Sequence, residues 1–273
     1  MKKEEIENYL KRELVSFDIH IYEQIMEDKQ GCVNNKDECN ANYYWCLEHI
    51  YVVKKFYIDA YNSIQEGNYE EAWNKLERIE VMLENLFNNM LEKNFIEFGL
   101  EFIRNNVFSF QKLFPYHLFL SRESVIEEEK CSICGKIITL RNRCNHKVGK
   151  VYMGELCIRE VTRLDLKGIA VVKNPMDKYA VLKPQGIEYN YEALEQLKKD
   201  ILGPYEKIVV NTYMIMNPEF EKCGRNEKCP CCSGKKYKYC CMGTERELIP
   251  HHEIIFSHRI EPRNIRYVSS YKK

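Results

Sequence analysis

The sequence predicts an α+β chain: a helical N-terminal domain, a small β or α+β region organised around cysteines, and a compact C-terminal knuckle. Three observations predict it. Apolar residues recur at helical spacing through about the first 120 positions. Beyond position 130 the apolar runs become short and are bounded by Gly, Pro and Asn, the pattern of strands and turns. Ten of the 13 cysteines lie in that second part, at spacings that suit metal ligation better than a disulfide framework.

In the helical part, Ile6, Leu10 and Leu14 open an amphipathic series, and Leu47, Ile50, Val53, Phe56 and Tyr57 mark a longer helix. Gly67-Asn68 breaks the pattern. A third helix then runs from Tyr69 through Leu76, Ile79, Leu83, Leu86 and Leu91. The segment Gly67-x-Tyr69-x-x-Ala72 is similar to the turn and second helix of a tetratricopeptide repeat, but no second copy follows at the repeat spacing, so a plain antiparallel helical hairpin is expected. Residues 95–120, rich in Phe and Leu, are expected to form the core helix of this half. Cys32, Cys39 and Cys46 are seven apart, with His49 close by. On one helix such thiols would stand ~10.5 Å apart along the axis, too far to share an ion without a bend, so they read as ordinary buried thiols.

The second part opens with Cys131-Ser132-Ile133-Cys134-Gly135, followed by Cys144-Asn145-His146 and Cys157. The C-x-x-C-G turn lets backbone N–H groups approach thiolate sulfur, and residues two apart on an extended segment point the same way. Cys131, Cys134, Cys144 and His146 together make a Cys₃His tetrahedron for Zn²⁺. Cys157 is a fifth candidate that replaces His146 or stays free. Gly149 and Gly154 flank a short strand over 150–153. Further on, 168–172 and 179–182 read as strands around Asn174-Pro175, Glu192 to Leu202 as a helix ended by Gly203-Pro204, and 205–216 as strand or helix.

Near the C-terminus the run C-P-C-C-S-G-K-K-Y-K-Y-C-C spans Cys229 to Cys241. Two thiols two apart and an adjacent pair converge only on an irregular backbone wrapped around something, and a Zn²⁺ ion with four thiolates fits. With Gly224-Arg225-Asn226 before it, this stretch of about 223–243 resembles the SEC-C motif, the metal-binding module at the end of the translocase motor SecA that is also appended to other bacterial proteins. The resemblance implies Cys229, Cys231, Cys240 and Cys241 as ligands, with Cys232 standing where the family usually has glycine. In SecA the module contacts the chaperone SecB, and such tails have been linked to the ribosome. After the motif, Ile254-Ile255-Phe256 and Arg266-Tyr267-Val268 alternate apolar with polar. The chain thus divides into an α-helical domain (1–122), a zinc-knuckle β-unit (123–186), a helical connector (187–221), a SEC-C-type knuckle (222–243) and a C-terminal extension (244–273).

Formal charge is zero, but residues 1–130 hold 15 Lys and Arg against 25 Asp and Glu, and residues 131–273 hold 26 against 16. A polyanionic partner would meet the second part. No apolar run follows Met1-Lys2-Lys3-Glu4-Glu5 and no stretch is long enough to span a membrane, so a cytoplasmic protein is expected. No nucleophile elbow, phosphate loop or dinucleotide fingerprint occurs, His251-His252 reads as a solvated pair, and Glu127-Glu128-Glu129 reads as a charged linker. The leading expectation is a non-enzymatic adaptor holding two Zn²⁺ ions (iron being the other metal that suits thiolates) and contacting a protein or ribosome-like partner. Nucleic-acid binding through Lys235-Lys236-Tyr237-Lys238-Tyr239, where cations alternate with aromatics, is the alternative. An unrecognised hydrolase ranks third, without positive evidence.

Overall fold

A computed structural model describes residues 3–186, 188–266 and 271. The chain forms two compact units: residues 1–108 with 118–182, and residues 109–117 with 183–273. It is an α+β protein of helices and small antiparallel sheets.

The first unit begins with helices α1 (Lys3–Leu10), α2 (Ile19–Asn34), α3 (Glu38–Glu66), α4 (Tyr69–Asn89) and α5 (Glu92–Glu97). Short polar side chains start two of them: Asp18 accepts the N–H of His20 and Asp37 that of Asn40, satisfying amides that have no partner inside the helix. Gly67 ends α3 at φ 83°, a conformation that costs other residues a Cβ clash, and the antiparallel α3–α4 hairpin follows. Its interior holds most of the expected apolar stripe: Leu47, Ile50, Val53, Tyr57, Leu76, Ile79, Leu83 and Leu86 are buried, whereas Phe56 is half-buried and Leu91 lies beyond the end of α4, 72% exposed. Each Leu or Ile there contributes about 1.5–3 kcal/mol by leaving water.

Two expectations for this half change. The Phe-rich segment is not one helix, because Gly99 at φ 73° separates α5 from α6 (Leu100–Gln111), and Phe108 is 59% exposed. Cys32 ends up on α2 and Cys39 and Cys46 on α3, since α2 stops before the polar run at 35–37. Only Cys46 is buried, and burial pushes its thiol up to about 12; Cys39 is exposed.

The β part of this unit is a two-stranded antiparallel ribbon, β1 (Phe119–Cys131) with β4 (Arg159–Val172). Between them lies a small hairpin of β2 (Val151–Tyr152) and β3 (Glu155–Leu156). Glu127, Glu128 and Glu129 belong to β1 rather than to a linker, and Glu127 pairs with Arg163 across the ribbon at 2.7 Å. Residues 179–182 contribute only an isolated bridge, Val181 with Phe119. The ribbon carries Cys131 and Arg159 opposite one another at one end, so its register fixes where the first cysteine cluster forms.

The second unit holds α7 (Glu192–Asp200), β5 (Ile208–Met216), α8 (Pro218–Glu221), β6 (Leu248–Phe256) and β7 (Arg263–Arg266), the strands forming one antiparallel sheet in the order β5-β6-β7. The 205–216 segment is thus strand from Ile208, and α7 stops two residues short of Leu202. In β6 the alternation holds, with Ile254 and Phe256 buried and Ile255 at the surface. Tyr267 and Val268 lie outside the described residues. His252 is not solvated: burial drives its pKa down to about 4, and its Nδ1 lies 3.0 Å from Thr212 Oγ1.

Candidate metal centres

The first cluster forms at the end of the ribbon. Cys131 closes β1, and its carbonyl accepts the N–H of Gly135 at 2.8 Å, which winds the C-x-x-C turn and brings Cys134 back over it; Gly135 takes φ 67° to allow this. Cys144 and His146 arrive on the irregular segment that follows. The Sγ atoms of Cys131, Cys134 and Cys144 and a ring nitrogen of His146 all lie within 4.8 Å of one another, so these four residues could hold a metal ion. His146 Nδ1 is 3.7 Å from Cys131 Sγ, and its ring stands edge-on to Tyr152 with centroids 4.7 Å apart. Burial raises the Cys131 thiol, but N–H groups of Cys134 and Ile133 and the neighbouring thiols of Cys144 and Cys134 outweigh it and hold its pKa at about 6. A thiolate is therefore available at neutral pH, which is the form that ligates metals.

The remaining cysteine, Cys157, is delivered by the β2–β3 hairpin. Met153 (φ 48°) and Gly154 (φ 77°) make its two-residue turn, the left-handed pair that matches strand twist. Two asparagines clamp this hairpin to the helices. Asn42 donates to Val151 O at 3.0 Å and accepts from Gly154 N at 2.8 Å; Asn89 donates to Gly149 O at 2.7 Å and accepts from Val151 N at 3.0 Å. Sequence reasoning missed both, because an asparagine on a helix carries no spacing signal.

The second cluster is the C-terminal knuckle. Lys228 and Lys236 form a bridge, Cys229 N donates to Lys235 O at 2.8 Å, and a 3₁₀ turn at Tyr237–Tyr239 delivers the last pair. Cys240 then takes φ −129°, ψ −91°, outside regular structure, which lets adjacent residues aim at one point. The Sγ atoms of Cys229, Cys231, Cys240 and Cys241 lie within 4.8 Å of one another; Cys231 to Cys240 is 3.4 Å and Cys240 to Cys241 is 3.7 Å. The hydroxyl and N–H of Ser233 hold Cys231 at a pKa of about 6, while burial pushes Cys241 up to about 12. The lysines at 228, 235 and 236 are exposed, and the Cys231 thiol is set by the hydrogen bonds around it.

The knuckle also has a small core that its composition hides. Phe220 and Tyr237 are buried with Cys229 and Cys241, their rings 5.8 Å apart, and Tyr237 OH donates to the buried Glu247, which also accepts Gly243 N at 2.8 Å. Tyr237 is consequently no stacking platform. Among the described residues, no other His, Cys, Asp or Glu group could hold a metal, Cys32, Cys39 and Cys46 included, and no helix is long and apolar enough to cross a membrane. No solved structure matches this chain. Residues 225–243 match the SEC-C motif family, no other part of the chain matches a family, and the chain therefore carries a SEC-C-type metal-binding module joined to unassigned sequence.

Proposed function

We propose that the protein is a non-enzymatic, cytoplasmic adaptor that holds two zinc ions as structural supports and uses the C-terminal knuckle to engage a protein or ribonucleoprotein partner. The observation that carries this reading is the pair of four-donor groups, each with its ligand atoms within 4.8 Å. Cys131, Cys134, Cys144 and His146 would hold one ion and Cys229, Cys231, Cys240 and Cys241 the other. Zinc would supply crosslinking and no chemistry, because four protein ligands leave no open position for a substrate. Iron suits the same thiolates, and elemental analysis separates the two metals.

The partner surface is basic. Lys222, Arg225, Lys228, Lys235 and Lys236 are all exposed around the knuckle, an arrangement suited to an acidic protein face or a phosphate-rich particle such as a ribosome. A second reading, direct binding of single-stranded nucleic acid, is favoured by one feature: Tyr239 is 73% exposed with Lys238 Nζ 4.7 Å from its ring centroid. One exposed ring offers a single stacking site, so the adaptor reading leads.

Purified protein is expected to contain about two zinc per chain, and a folded, metal-free protein overturns the reading. Capture of partners with and without nuclease separates the two readings of function. Partners that survive nuclease but are lost in K235E/K236E support an adaptor for a protein, whereas binding of protein-free single-stranded RNA or DNA by the purified chain supports direct nucleic-acid binding and separates it from a ribonucleoprotein partner lost on nuclease treatment.

A further inference from the structure

The cluster at the end of the ribbon contains one donor more than a tetrahedral ion needs. Cys157 is fully buried, and its Sγ lies 3.8 Å from that of Cys131. Two thiolates bound to one tetrahedral zinc, each ~2.3 Å from it, are themselves ~3.8 Å apart. The Cys131–Cys157 pair already spans one edge of such a tetrahedron. His146 Nδ1 is equally near Cys131, at 3.7 Å, and falls within the compact four-atom group that Cys157 does not join. The distances within the cluster thus favour His146, whereas the mountings of the two residues favour Cys157.

Cys157 is fixed on both sides. Its N–H donates to Lys150 O and its carbonyl accepts Gly149 N, each at 2.8 Å. The next residue is tied to the C-x-x-C turn itself: Ile158 N donates to Ser132 Oγ at 2.9 Å and Ile158 O accepts Ser132 N at 3.1 Å. One residue later β4 begins, with Arg159 opposite Cys131. His146 is partly exposed on an irregular loop. Ligating histidines are usually held by a hydrogen bond from the second ring nitrogen, yet Nε2 of His146 has no partner among the described residues. A fourth thiolate would add negative charge, and a cation lies beside the cluster: Arg159 Nη1 is 3.9 Å from Cys144 Sγ, with its Nε 3.8 Å from Glu129 Oε1.

We propose that Cys157 is a ligand of the central ion, which is held by Cys131, Cys134, Cys144 and Cys157, with His146 left outside against Tyr152. The proposal rests on the two-zinc reading above. X-ray absorption at the zinc edge of the full-length chain tests it, alongside metal content. The expected result is two zinc per chain, each surrounded by sulfur alone, without the scattering pattern of a bound imidazole. His146→Ala keeps both ions and an unchanged spectrum, whereas Cys157→Ser loses one ion. Because Cys157 is buried, its serine variant could fail to fold, so the wild-type spectrum and the His146→Ala variant decide. An imidazole bound to one of two ions, or loss of an ion in His146→Ala, overturns the assignment. Fewer than two ions in the wild type overturns the two-zinc reading instead, and metal content alone reveals that case.

Discussion

Cys232 holds φ 61°, the left-handed region in which a side chain crowds its own backbone, and its thiol is exposed. At this position a glycine would relieve ~1 kcal/mol of strain. Cys232→Gly is accordingly expected to raise the melting temperature of the zinc-loaded protein with metal content unchanged, and loss of an ion would show that Cys232 is itself a ligand. Serine at Cys229, Cys231, Cys240 or Cys241 should each remove about one ion per chain, because the knuckle's core of Phe220 and Tyr237 is too small to order the loop without metal. A different residue controls pH dependence in the helical unit. Lys54 is 2% exposed, its Nζ donates to Arg12 O at 2.9 Å, and burial draws its pKa down to about 8. Between that value and the ordinary lysine value near ~10.4, the unfolded chain binds more protons than the folded one, so this group makes stability rise with pH across that window, by at most about 3 kcal/mol. Buried tyrosines such as Tyr44 slope the other way, in wild type and variant alike. The stability of wild type minus that of Lys54→Met, from urea unfolding at pH 8 and pH 10.5, should therefore increase with pH; a flat difference would refute the role.

At the level of elements, the β2–β3 hairpin is too short to stand alone, two residues per strand, and relies on Asn42 and Asn89. Alanine at either removes both of its hydrogen bonds to the hairpin region and leaves backbone groups of a half-buried turn unpaired, at a cost of about 1–3 kcal/mol. Because this hairpin delivers Cys157, N42A and N89A should also speed zinc loss to a chromogenic chelator for one of two ions, while the other leaves at the wild-type rate. The same elements show what the sequence could reveal. The α3–α4 hairpin was legible because Leu47, Ile50, Leu76, Ile79, Leu83 and Leu86 repeat at helical spacing and Gly67 stops the first helix. Both cysteine groups were legible because thiol spacing is a local signal. The long ribbon was not. β1 carries Glu127, Glu128 and Glu129, with register shifts beside them, so it shows no clean alternation and looks like a linker. Equally hidden were the asparagine clamps, which join positions 60 to 112 residues apart, and the burial of Tyr237, which depends on Phe220 and Glu247 closing over it.

For the molecule as a whole, the metals and the helical core support different parts. The stripe between α3 and α4 contains none of the eight proposed ligands, so stripping both ions with a strong chelator should leave most of the helical circular-dichroism signal. The stretches 131–157 and 223–243 should then become the first sites of proteolytic cleavage; collapse of the helical signal on chelation would contradict this division. The two units also interleave along the chain, since residues 109–117 belong with 183–273 and not with the helices that precede them. Ser109 Oγ donates to Ile208 O, Lys112 Nζ to Val210 O, and Tyr116 OH meets Tyr191 OH, across sequence separations of 99, 98 and 75 residues. In a cell that separation becomes time. At ~5–20 residues per second, a ribosome takes about 5–20 s to make the strand that Ser109 awaits. Through that interval Leu113, Phe114 and Tyr116, all buried in the finished protein, have no finished unit to enter. The nascent chain thus carries a transient apolar segment behind an already complete helical hairpin, and its yield should depend on how long that segment is left waiting.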